Sequence, residues 1–103
     1  ITALYAHNDD MALGALQAIE AAGKKPGVDI LIVSIDGVHD AFAAMLEGKL
    51  NCSVECNPLL GPQLFDVLEK LRKGESVPRR IETAEGVFDQ SQVTAEVLKA
   101  RKY

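Results

Sequence analysis

Three polar clusters fall directly after apolar runs in this chain: His7-Asn8-Asp9-Asp10, Asp36-Gly37-Val38-His39-Asp40 and Glu55-Cys56-Asn57. As parallel strands, those runs would bring the clusters to one sheet edge, where open α/β sheets hold their ligands. An asparagine offers a donor and an acceptor together, and an ionised carboxylate accepts from two neighbouring hydroxyls. Asn8 and Asp36 therefore suit the hydroxyls of a neutral polyol or sugar, with Glu55 as a third candidate. Other chemistries use the same residue types. His7, Asp9, Asp36, His39 and Asp40 are metal-ligand types, yet Asp9, Asp10, His39 and Asp40 equally fit first helical turns, where carboxylates complement the helix dipole. Asp9, Asp10 and Asp36 also match part of a phosphorylated signalling domain, but no lysine directly follows the third or fourth strand. Asp36 could equally do no more than cap a turn. There is no G-x-S-x-G, G-x-G-x-x-G or P-loop, so a nucleophile elbow and a cradled nucleotide phosphate lack support.

The elements that must position these groups are organised around Asp29 to Gly37. Five of the six residues from Ile30 to Ile35 are aliphatic and four are β-branched. A continuous apolar run of that length predicts a parallel strand buried on both faces. Before it, residues 2–7 read as a strand, and Asn8 as the cap of a helix with Met11, Ala15, Ala18, Ile19 and Ala22 at helical spacing, stopped at Gly23. After it, His39 to Glu47 reads as a short helix with Phe42, Met45 and Leu46 on its apolar side. Asn51 to Cys56 reads as a third strand. Asn57-Pro58 predicts a helix running to Lys73. Arg80 to Phe88 reads as a fourth, weaker strand and Ser91 to Arg101 as a last helix. The fold class is α/β, with alternating β-α units and a parallel sheet joined by right-handed crossovers.

With 103 residues, 48% of them hydrophobic and 25% charged, the chain allows one modest domain. A formal charge of −4 argues against nucleic acid as partner, since phosphate binding needs a basic patch. No apolar run reaches the roughly 18–20 residues of a membrane span. The chain opens at Ile1 inside a strand-like run, which predicts the back part of something longer. Cys52 and Cys56 would lie about 13 Å apart along a strand, too far for a disulfide, and are expected as buried free thiols. Tyr5, Phe42, Phe65, Phe88 and Tyr103 read mostly as core. A sugar site also wants an aromatic face, so this chain is expected to hold only half of one.

The stretch YAHNDDMALGALQAIEAAGKKPGVDILIVSIDG resembles the back half of the ribose- and galactose-type periplasmic sugar-binding proteins, with their strand, Asn-Asp, Met-Ala-Leu-Gly-Ala helix and strand ending in Asp-Gly. GKLNCSVECNPLLGPQ is most similar to the galactofuranose-binding branch. The resemblance covers essentially the whole chain. It implies that Asn8 and Asp36 hydrogen-bond sugar hydroxyls. Ribose-type members place a sugar-contacting Gln where Cys56 stands here, which leaves Glu55 as the substitute. It also implies a two-lobed fold, with residues 1–57 in the C-terminal sugar-binding lobe, 58–87 in the other lobe, and 88–103 as a return segment and helix. The expected function is a sugar-binding component of an ABC importer, periplasmic, catalysing no reaction and needing no cofactor or metal. Its partners would be a monosaccharide, the membrane permease and the missing N-terminal part of the same protein. The alternative is the effector-binding core of a LacI-type repressor, which shares the fold; Asp36-Gly37 and Ser53-Val54-Glu55 lean toward transport.

Overall fold

The computed structural model describes residues 1–103. The chain runs β1 (Ala3–Tyr5), α1 (Asp9–Ala21), β2 (Leu31–Asp36), α2 (His39–Leu46), β3 (Cys52–Glu55), α3 (Gly61–Arg72), β4 (Val87–Asp89) and α4 (Ala95–Ala100). The four strands form one sheet in chain order. β1, β2 and β3 are parallel, with Tyr5 opposite Val33 and Asp36 opposite Glu55. The alternation therefore yields the expected parallel sheet over its first three strands.

β4 departs from it, pairing antiparallel to β3 with Val54 opposite Val87. The cause lies in what precedes it. Residues 58–86 do not cross back over the sheet; they leave it and return beside β3, where Glu55 N–H donates to the Gly86 carbonyl at 2.8 Å. α3 buries none of its residues, and Leu64, Phe65, Leu68 and Leu71 are all exposed. The molecule is accordingly long, 60 × 28 × 18 Å, with a radius of gyration of 17.3 Å. A compact domain of this length would have about 13 Å.

The same departure corrects the expected two-sided burial of β2. Ile32 and Ser34 are buried, while Leu31 and Val33 on the alternate face are 53% and 39% exposed. α1, α2 and α4 pack on one side of the sheet, and α3, which the alternating scheme would send to the other side, projects away. Tyr5, Leu31, Val33, Val54 and Val87 thus make a bare apolar face. The core lies on the covered side and joins Ala6, Leu16, Ile32, Phe42, Met45, Leu50 and Val93. Of the aromatics expected in it, Phe42 is buried and Phe88 packs at its edge, whereas Tyr5 and Phe65 are exposed.

Element ends follow local chemistry. Asn8 caps α1 as expected, its Oδ1 accepting from Met11 N–H at 2.8 Å. The buried face of that helix is Ala12 and Leu16, flanked by Leu13 and Ile19, and Met11 faces solvent. α3 starts at Gly61, not Pro58, because Asn57 Oδ1 accepts from Leu59 N–H in a local turn and Pro62 supplies the helix start. α4 starts at Ala95 behind Thr94, not at Ser91, which Asp89 holds in a turn instead. Both thiols are free, but Cys52 is half-buried and Cys56 lies exposed beyond the end of β3.

Candidate sugar-binding edge

The three clusters come together at the C-terminal ends of β1, β2 and β3, as parallel pairing requires. Their centre is a residue whose weight the sequence did not reveal. Asp9 opens α1 and is fully buried. Its Oδ1 accepts from the hydroxyls of Ser34 at 2.5 Å and Ser53 at 2.9 Å. Its Oδ2 accepts from the N–H groups of Gly37 at 2.7 Å and Val38 at 2.8 Å. A carboxylate with about four acceptor sites is fully used this way, and it also sits at a helix N-terminus, where the dipole favours negative charge. One side chain thereby joins α1, β2, β3 and the turn after β2. The one trace of it in the residues is Ser34, which interrupts the aliphatic run of β2 and pairs across the sheet with Ser53 of β3.

Asp36 ends β2 half-buried, with φ at 123°. It is the one non-glycine residue with positive φ, a region that costs a residue with a Cβ of order 1–3 kcal/mol. Its carbonyl is bonded to Cys56 N–H at 3.0 Å, but no group in the chain hydrogen-bonds its carboxylate. Asn8 stands at the neighbouring strand end, one residue before Asp9. Its Oδ1 serves the cap, which leaves its amide N–H groups without a partner in the chain.

Glu55, across from Asp36 in the register, is differently employed. Oε1 accepts from Tyr103 O–H at 2.5 Å and pairs with Arg101 at 2.9 Å, while Oε2 accepts from Gly86 N–H at 2.9 Å. Burial would raise its pKa, but the hydrogen bonds from Tyr103 and Gly86 and the Arg101 charge outweigh this and hold the carboxyl below the usual glutamate range. Burial, and then the bond to Glu55, push Tyr103 up to about 12. Glu55 thus anchors the C-terminal tail and has little acceptor capacity left for a ligand.

His7 and His39 are exposed; His39 Nδ1 pairs with Asp40 at 3.2 Å, and His7 tilts against Tyr5. No group of three or more His, Cys, Asp or Glu side chains could hold a metal ion. At this edge the Asp36 carboxylate and the Asn8 amide N–H groups are thus left without partners in the chain.

No family profile matches the chain. Individual proteins do. The galactofuranose-binding protein YtfQ of Escherichia coli K12 is 44% identical over 102 residues, 99% of this chain and 32% of that protein. A crystal structure from Mycobacterium smegmatis in complex with β-D-fucofuranose superposes with a TM-score of 0.85 at 56% identity, covering 90% of this chain and 31% of the other. The periplasmic binding protein of the arabinose ABC transporter from Shewanella sp. ANA-3, bound to α- and β-L-arabinofuranose, gives 0.87 at 48% identity, covering 98% and 34%. The chain spans about a third of the length of these relatives. By sequence and by fold it is similar to a segment of that size in sugar-binding proteins, one of them the periplasmic component of an ABC transporter.

Proposed function

We propose that this chain supplies one wall of the sugar site in the binding protein of an ABC importer, and that Asn8 and Asp36 hydrogen-bond hydroxyls of a sugar in its furanose form. The observation that carries the reading is Asp36: a strained backbone that aims a carboxylate with no partner in the chain. Strain of that kind persists where function uses it. The names of three relatives support the ring form, since they bind galactofuranose, β-D-fucofuranose and arabinofuranose. The protein binds and releases its ligand without chemistry, in the periplasm, and passes it to a membrane permease. The repressor alternative finds no counterpart among these relatives.

In this reading residues 1–57 form part of the sugar-binding lobe, 58–87 belong to the second lobe, and 88–103 return to the first. The stand-off of α3 and the antiparallel β4 support that division. The bare apolar sheet face supports a missing complement, because parallel strands are normally covered on both sides. Helices from the remaining two-thirds of the protein are the proposed cover. Alone, the chain should bind sugar poorly, since half a cleft neither preorganises nor desolvates its ligand.

The test is a chimera of the Escherichia coli galactofuranose-binding protein in which this chain replaces its matched third. Titrating it with galactose, whose furanose form the host is named for binding, by calorimetry should show binding, weakened roughly tenfold to over a hundredfold by Asp36→Asn at about 1.5–3 kcal/mol per charge-assisted bond. Asn8→Ala should weaken it somewhat less. Unchanged affinity with a large loss of melting temperature in both variants would sink the assignment.

A further inference from the structure

We propose that Arg101 is a positioning residue for Asp36: from the C-terminal tail it holds the turn that poses the ligand carboxylate. The proposal rests on the sugar-binding reading of Asp36. A residue with a Cβ keeps a φ of 123° only where its surroundings over-determine it. Here they can be followed bond by bond. The peptide after Asp36 is held at both ends, its carbonyl by Cys56 N–H at 3.0 Å and its N–H by Asp9 Oδ2 at 2.7 Å and Ser53 Oγ at 3.1 Å. The next peptide is held at both ends too. Val38 N–H donates to Asp9 Oδ2 at 2.8 Å, and the Gly37 carbonyl accepts from Arg101 Nε at 2.5 Å.

Of these anchors only Arg101 comes from the C-terminal tail; the others belong to α1, β3 or the residue that follows β3. It is itself held on several sides. Its side chain is 10% exposed, and Nη2 reaches Glu55 Oε1 at 2.9 Å and Tyr103 Oη at 3.1 Å. Its guanidinium carbon lies 4.4, 5.3 and 4.6 Å from the ring centroids of Phe42, Phe88 and Tyr103. A planar cation stacked among three rings keeps a fixed direction, which a lysine ammonium would not. The fit is mutual, because a Cβ on Gly37, whose φ is 77°, would run into that guanidinium. Without Arg101 the second peptide loses the anchor on its carbonyl, and the turn that keeps Asp36 in its strained φ is loosened from that side.

The alternative role is a plain staple for the tail, and nuclear magnetic resonance on this chain separates the two. The three-bond amide–Hα coupling of Asp36 is small at φ 123° and large in relaxed extended backbone. That coupling, the exchange rates of the Gly37 and Val38 amides and the melting temperature are compared for Arg101→Met, Arg101→Lys and Tyr103→Phe. Both Arg101 variants should enlarge the coupling and speed exchange at the two amides about tenfold to a hundredfold. Tyr103→Phe should lower the melting temperature and leave the coupling small. Arg101 variants that melt earlier with an unchanged Asp36 coupling would reduce Arg101 to a staple and overturn the proposal. So would loss of the folded state in both. No sugar enters the measurement, so its failure leaves the binding assignment standing, and a chimera that does not bind leaves the coupling result intact.

Discussion

Replacing Asp36 by glycine separates what this residue costs from what it does. Its φ of 123° carries a strain of order 1–3 kcal/mol that glycine does not feel. Glycine in turn loosens the unfolded chain, returning about 0.4–1 kcal/mol. No hydrogen bond is lost, because none in the chain reaches the carboxylate. The variant should therefore be more stable, by about 1 kcal/mol at the centre of these ranges, or about 4–8 °C in melting temperature for a domain of this size. Urea unfolding of the isolated chain, followed by circular dichroism, measures the first quantity and a thermal scan the second. In the chimera the same substitution should weaken galactose binding at least tenfold. Stability and binding thus move in opposite directions. A variant destabilised by 1 kcal/mol or more would show that the carboxylate serves the fold, and the strain argument would fall with it.

Three further outcomes follow from the network behind that residue. Asp9→Ala leaves two buried hydroxyls and two amides without their acceptor and should cost about 3–5 kcal/mol in urea unfolding, with Asp9→Asn in between. The Glu55–Tyr103 bond sets a pH window. Glu55 is held low, so its contribution is present above the ordinary glutamate pKa and is lost as pH falls through its folded value. Tyr103 is raised to about 12, so its contribution is full below 10 and is lost as pH rises toward 12; melting temperature against pH should lose its alkaline limb in Tyr103→Phe. On the bare sheet face, Val33→Lys should change the stability of the isolated chain by no more than about 0.5 kcal/mol, yet prevent folding of the chimera, where the charge would be buried.

What could be read from the residues divides along a physical line. Caps and strand ends are local, and Asn8, Gly23 and the run ending at Asp36 placed α1 and β2 to within a residue or two. The convergence of Asn8 and Asp36 followed from parallel pairing alone. Two-sided burial of β2 did not follow, because an aliphatic strand does not report which layers cover it, and in this chain helices pack on one face of the sheet alone. The direction of β4 was equally out of reach: a β-α-β pattern is the same whether the helix crosses the sheet or stands apart from it. Glu55 read as a ligand for want of its partners, Arg101 and Tyr103, which lie far along the chain. Asp9 read as dipole chemistry because its four donors are spread over three elements.

The antiparallel pairing of β3 with β4 carries a topological consequence. With Val54 opposite Val87 and Glu55 tied to Gly86, residues 56–85 are in effect the loop of a very wide β-hairpin, and α3 is cargo inserted in it. Closing a loop of that length, compared with an ordinary hairpin loop, costs about 0.6 kcal/mol for each of roughly three doublings, or about 2 kcal/mol in all. Excising the insert and joining the strands through an Asn-Gly turn should leave the sheet, the Asp9 hub and the Asp36 turn in place, on a shorter chain that folds more readily than the original.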